Sequence, residues 1–129
     1  MLFKNVSIAG LAHVDAPHTL TSQEINERLK PTLDRLGIRV DVLGDIAGIH
    51  ARRMWDEDVQ ASDAATLAAR KALDDAGIDV GRVGLLVNTS VSRDFLEPST
   101  ASIVSGNLGV SDECMTFDVA NACLAFING

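Results

Sequence analysis

The stretch Cys114-Met-Thr-Phe-Asp-Val-Ala-Asn-Ala-Cys123-Leu-Ala-Phe-Ile-Asn-Gly129 decides the fold. Met115 to Val119 is rich in strand-forming residues, while Leu124, Phe126 and Ile127 suit the first turns of a buried helix. Ala120-Asn121-Ala122 between them then forms a strand-to-helix corner that carries Cys123. The alanines at 120, 122 and 125 and Gly129 leave room for neighbouring backbone or a substrate. A cysteine at a helix start is exposed to the positive end of the peptide dipoles, which favours the nucleophilic thiolate. The free N–H groups of that turn are suited to an oxyanion, so one corner offers two parts of acyl-transfer chemistry. The plain alternative stays open on these residues: free cysteine often packs as a small buried hydrophobe.

Immediately upstream, Pro98 to Leu108 reads as a helix closed by Gly109, and Val83 to Val87 as a continuous apolar strand of the kind buried on both faces of a parallel sheet. Strand, helix and strand in succession indicate an α/β architecture. Thr89 to Pro98 is a polar loop at the carboxyl end of the first of these strands, where ligand sites of open α/β sheets lie. Further back, Ser62-Asp63 caps a helix running through Ala76 and closed by Gly77. Its Ala64, Ala65, Leu67, Ala68, Ala72 and Leu73 are expected to form a small-residue packing surface. Thr21-Ser-Gln-Glu24 has the form of a capping box. It opens a helix closed by Gly37 whose Ile25, Leu29, Leu33 and Leu36 are expected to pack in the core and which Pro31 should kink. Ile38 to Ile49, broken by Gly44 and Gly48, reads as a short strand or irregular connection, and Phe3 to Leu11 as a first strand ending near Gly10.

Composition narrows the function classes. A chain of 129 residues with 47% hydrophobic and 22% charged residues is long enough to bury a core and shows no sign of disorder. The formal charge of −7, with no basic run longer than Arg52-Arg53, argues against nucleic acid or an anionic membrane as partner. Cys114 and Cys123 have no metal-finger spacing and suit a reducing compartment. The opening Met-Leu-Phe-Lys-Asn-Val-Ser has too short an apolar run for a signal peptide, and no segment is long enough to span a bilayer, so a cytoplasmic protein is expected. His13, Asp15 and His18 share the loop His13 to His18 but match no strong ligand spacing, and no metal is expected. Gly48-Ile-His-Ala-Arg-Arg-Met-Trp55 sets two arginines beside a tryptophan, a pattern equally compatible with a phosphate and purine site or with surface ion pairs.

Asp118-Val-Ala-Asn-Ala-Cys-Leu-Ala-Phe resembles the nucleophile segment of the thiolase superfamily, in particular its condensing enzymes of the ketoacyl-ACP synthase III type. Val6-Ser-Ile-Ala-Gly-Leu-Ala, Gly48-Ile-His-Ala-Arg-Arg, Ser62-Asp-Ala-Ala, Asn88-Thr-Ser and Glu97-Pro-Ser-Thr-Ala-Ser extend the resemblance from Phe3 to Gly129. Together they point to the acyl-CoA-condensing branch of bacterial olefin biosynthesis. The resemblance implies a mixed sheet covered by helices, the N-terminal half of a thiolase fold spanning residues 1–129, with the C-terminal half and its histidine and asparagine outside this chain. It also implies a non-decarboxylative Claisen condensation of two long-chain acyl-CoAs through a Cys123 thioester. Glu97 would be the general base, acting on the partner subunit's site, and Arg52 would contact coenzyme A, although His50 stands where related enzymes carry a first arginine. Acyl-CoA is then a substrate and no cofactor is required. The implied partners are a second copy or a complementary chain and other enzymes of the olefin pathway; alone the chain would be inactive. A decarboxylative ketoacyl-ACP synthase III activity and a non-catalytic thiolase-like scaffold are the alternatives.

Overall fold

The computed structural model describes residues 4–38 and 42–129. The chain divides into two compact units, one made of the residues up to Val14 with Asp58–Gly129, the other of Asp15–Glu57.

The smaller unit is a strand β1 (His18–Thr21), a helix α1 (Ser22–Leu36) and a strand β2 (Ala51–Met54) antiparallel to β1, with His18 opposite Met54 and Thr21 opposite Ala51. The expected capping box is present. Thr21 Oγ1 accepts from the Glu24 N–H, and the Glu24 carboxylate accepts from the Thr21 N–H at 2.8 Å, so both of these first-turn donors are satisfied. Gly37 ends α1 with φ 69°, a left-handed conformation that favours glycine, and the helix is continuous through Pro31. Ser22, buried beneath the turn, donates its N–H to the His50 carbonyl at 2.8 Å and its hydroxyl to the Ile49 carbonyl, tying α1 to the start of β2.

Two expectations fail in this unit. His18 lies in a strand and not in a loop, because its ladder partner is more than thirty residues away and no local pattern announces it. The α1 stripe is not core: Ile25 and Leu33 are half-buried, but Leu29 and Leu36 are 46% and 61% exposed, since one short hairpin offers too little surface to cover them. Val42–Ile46 form an irregular helical turn, in keeping with a broken connection, while residues 39–41 of that segment lie outside the described residues.

The larger unit contains α2 (Ala61–Ala76), β3 (Leu85–Asn88), α3 (Thr100–Leu108), β4 (Met115–Asp118) and the single turn α4 (Ala125–Asn128). β3 and β4 are parallel and in register from Leu85 opposite Met115 to Asn88 opposite Asp118, with α3 as the crossover between them, a βαβ unit. The buried core runs along α3, where Ala101, Val104 and Leu108 pack against the strands and α2. Gly77 and Gly109 close α2 and α3 with positive φ, as the sequence predicts. The α2 cap lies two residues earlier than expected: Gln60, not Ser62, is the cap residue, and its N–H donates to Asp63 at 3.0 Å.

Two apolar segments depart from expectation. Val6 to Gly10 forms no strand, since it finds no ladder partner among the described residues, and Val6 and Ile8 are 73% and 89% exposed; Phe3 lies outside the described residues. Instead the backbone at Gly10 rests on α2, where a β-carbon would come within 2.8 Å of the Ala72 carbonyl oxygen. β3 begins at Leu85 and is half-buried, because among the described residues it has a single neighbouring strand. Among those residues no helix is long and apolar enough to cross a membrane.

The capping box makes α1 pH-sensitive. Hydrogen bonds from the Thr21 side chain and then its backbone N–H hold Glu24 below the ordinary glutamate pKa. The helix-start stabilisation is therefore complete above that ordinary value and fades as pH falls through the lowered one. The protection of the Thr21 amide against hydrogen exchange, taken relative to its intrinsic rate at each pH, is expected to fall on acidification in the wild type, and Glu24→Gln should flatten that dependence.

Candidate functional site

β3 and β4 end side by side at Asn88 and Asp118, and the segments that follow them leave the same carboxyl edge of the sheet. The first is the loop 89–99, which carries Glu97, and the second is the corner 119–122, which carries Cys123. The Asn88 carbonyl accepts from the Val119 N–H at 2.8 Å, extending the ladder one residue toward the corner.

The strand-to-helix corner is present as the sequence predicts, but the helix after it is not buried: among the described residues it is a single turn, and Leu124, Phe126 and Ile127 are 59%, 75% and 76% exposed. Asn121 has φ −140° and ψ 52°, and Ala122 takes φ 43°, a left-handed conformation rare for alanine, so the chain turns sharply out of β4. Cys123 sits within a 3₁₀ turn, Ala122–Leu124, that runs directly into α4, and it is exposed. The oxyanion expectation needs revision here. The Leu124 N–H is bonded to the Asn121 carbonyl at 2.9 Å and the Ala125 N–H to the Ala122 carbonyl, so these donors are used inside the turn. The Cys123 N–H has no such bond among the described residues. Gly129, at the end of α4, lies so close to Thr89 that a β-carbon there would collide with the Thr89 methyl group, and the end of α4 is thereby packed on the root of the Glu97 loop. Cys114, the other cysteine, is half-buried with its thiol directed to the Met115 carbonyl at 3.6 Å.

The Glu97 loop is fastened on both sides of Glu97. Asp94 Oδ1 accepts from the Ser62 N–H at 3.0 Å, binding the loop to the first turn of α2. Ser99 caps α3, its Oγ accepting from the Ser102 N–H at 3.2 Å. Asp118 completes this cap from across the sheet: Oδ2 accepts from the Thr100 N–H at 2.9 Å and Oδ1 from the Ala101 N–H at 2.8 Å. With Ile103 N–H bonded to the Ser99 carbonyl, the first four N–H groups of α3 are all satisfied. Glu97 itself is exposed, as are the neighbouring Phe95 and Leu96, at 57% and 81%. Sequence reading places Glu97 and Cys123 but misses Asp118 as the part that joins their segments. The Ser99-Thr100 step before a helix was the available signal, since it marks a cap whose remaining donors need an acceptor.

Arg52 belongs to β2 in the smaller unit and is half-buried opposite Leu20. Successive strand residues point to opposite faces, so Arg52 and Arg53 do not converge on one phosphate, and Arg53 Nη1 already donates to Thr19 Oγ1 at 2.7 Å. His18 Nε2 lies 2.7 Å from Asp56 Oδ1. Among the described residues no group of three or more His, Cys, Asp or Glu side chains is arranged to hold a metal ion.

No protein-family model matches the chain. An acyl-CoA:acyl-CoA alkyltransferase of Xanthomonas campestris pv. campestris is 84% identical over 129 residues, which are all of this chain and 38% of that protein. A β-ketoacyl-[acyl-carrier-protein] synthase III of Neisseria meningitidis serogroup C is 41% identical over 80 residues, covering 62% of this chain and 25% of that protein. Two solved structures of Xanthomonas campestris OleA, one with a glutamate replaced by glutamine and one with a cysteine replaced by alanine, superpose with TM-scores of 0.91 and 0.92. Each is 83% identical and covers all of this chain, which spans 39% and 38% of the two solved chains. The glutamate and the cysteine replaced in them stand as far apart in sequence as Glu97 and Cys123. The chain thus spans well under half the length of the relatives it matches.

The cap on α3 is directly testable. Ser99→Ala removes the acceptor for the Ser102 N–H and should destabilise the first turn of α3 by about 1 kcal/mol. Hydrogen exchange at the Ser102 amide should quicken accordingly, while the amides of α1 keep their wild-type rates.

Proposed function

We propose, from its likeness to OleA and ketoacyl-ACP synthase III, that this chain is a thiolase-fold segment of a protein that condenses two long-chain acyl-CoAs, with Cys123 as nucleophile and Glu97 as general base. Cys123 attacks the thioester carbonyl of the first acyl-CoA, coenzyme A leaves as the thiol, and the acyl group remains as a cysteine thioester. Glu97 takes an α-proton from the second acyl-CoA. The resulting carbanion attacks the cysteine thioester, the tetrahedral adduct collapses, and the Cys123 thiolate departs, leaving a β-ketoacyl product. No redox change or metal enters this sequence.

The observation that carries the reading is the emergence of the Glu97 loop and the Cys123 corner from the same edge of one βαβ unit. The relatives support it, through the name of the 84% identical alkyltransferase and the matching separation of the two residues replaced in the OleA structures. In our reading Glu97 serves the site of the partner subunit in a homodimer. The exposed Phe95 and Leu96 beside it favour this, because a loop that presents large apolar side chains to solvent is suited to an interface. Residues 1–129 form the N-terminal part of the catalytic fold, and the rest of the site comes from outside these residues, on the same or a complementary chain. Arg52 is the residue we assign to coenzyme A, a role for a single cation on its strand. The setting we propose is cytoplasmic olefin biosynthesis, with the long-chain β-ketoacyl product passed to further enzymes.

The related decarboxylative reaction of ketoacyl-ACP synthase III generates its carbanion by loss of carbon dioxide and needs no base, and an inert scaffold needs neither residue. Glu97 together with Cys123 therefore favours the non-decarboxylative reading. Intact mass of the complete protein after incubation with a long-chain acyl-CoA tests it: the wild type should gain one acyl group on this chain and Cys123→Ala none. Glu97→Gln should still acylate but form condensed product at least ~100-fold more slowly. Absence of the adduct in the wild type would remove Cys123 from the nucleophile's role, and loss of acylation together with condensation would remove Glu97 from the base's.

A further inference from the structure

We propose that Asp118 is the positioning residue of this site. By bonding the first turn of α3 it holds the Glu97 loop and the Cys123 corner in one fixed geometry. The inference rests on the catalytic roles given above for Glu97 and Cys123 and adds a third residue that touches neither substrate nor reacting atoms.

The two N–H groups that Asp118 accepts belong to Thr100 and Ala101, which are 1% and 0% exposed. Water cannot take the place of the carboxylate there without opening the helix start. Asp118 is thus the sole acceptor that the described residues offer these two donors, and both of its oxygens are used.

From Thr100 back to Glu97 the chain has only Ser99, itself fixed as the helix cap by two bonds to Ser102, and Pro98, whose φ is locked by its ring. From Asp118 forward to Cys123 there are four residues. Val119 is held by the β3 ladder, and Asn121 and Ala122 are set in the sharp turn. A shift of the α3 start relative to β4 is therefore carried to both catalytic residues with little slack. Ser102 Oγ and Thr116 Oγ1, 3.3 Å apart, brace the same joint one turn further along. If Glu97 acts across a dimer, each copy of Asp118 sets one half of each site, and the requirement is unchanged.

Two substitutions break this contact from opposite sides. Asp118→Asn keeps the shape but exchanges one acceptor oxygen for a donor. Thr100→Pro removes one of the donors at the first helical position, where proline suits the helix and its preceding residue, Ser99 with φ −60° and ψ 145°, already has a conformation that proline tolerates. In the complete protein, intact mass after a brief exposure to a long-chain acyl-CoA gives the number of sites that acylate. After removal of excess, the decay of that adduct on addition of fresh acyl-CoA, matched to product formed, gives the condensation rate per acylated site. Both variants should acylate to the wild-type number of sites and condense about 10²-fold more slowly per site, the size of effect expected from a misplacement near 1 Å.

A merely structural role would lower the number of acylating sites and leave the rate per site unchanged, which would overturn the proposal. So would a wild-type rate per site in either variant, since each lacks half of the contact. Wild-type protein that never acylates, or Glu97→Gln protein that condenses at the wild-type rate, would remove the catalytic reading and this proposal with it. Those results are read on proteins in which the Asp118 contact is intact, so the two failures are told apart.

Discussion

A buried helix start must find acceptors for its first N–H groups, and in this chain that requirement is met across the sheet by one carboxylate. Asp118 closes the first turn of α3 while standing at the last position of β4. The geometry of the crossover, the direction in which the loop 89–99 leaves β3, and the point at which the corner before Cys123 begins all follow from that contact. If the carboxylate were placed one residue along the strand it would face the other side of the sheet, and α3 would lose two of its four donor partners.

The same economy explains why the site lies where it does. Parallel strands joined by a helix deliver their following segments to one edge, so the loop 89–99 and the corner before Cys123 leave the sheet on the same side. Glu97 and Cys123 each follow a β-strand of this pair, and each is tethered close to its own strand or helix end. The arrangement needs small residues where chain approaches chain, as at Gly129 against Thr89 and at the alanines around Cys123.

What was legible in the sequence is what is decided locally. Gly37, Gly77 and Gly109 announced three helix ends because the left-handed cap selects glycine wherever it occurs, and Thr21 and Glu24 announced a helix start because their partners lie within one turn. The corner at Cys123 was legible for the same reason. Interactions with distant partners were not. β1 and β2 are short, largely polar strands defined by each other, and Asp118 reads as an ordinary strand-end aspartate until its donors, 17 and 18 residues earlier, are brought beside it. The apolar patterns of Val6 to Leu11 and of α1 misled in the opposite sense. They record a preference for burial, but the surface that would satisfy it is not offered by the residues around them.

The nine-residue α3 is too short to persist alone in water, and its closing acceptor is synthesised only when the chain has reached Asp118. Helix, second strand and the corner at Cys123 are therefore expected to form together in a single cooperative step, after the loop 89–99 has been synthesised. Local opening of one should open all three, so this region is expected to be either fully assembled or fully open.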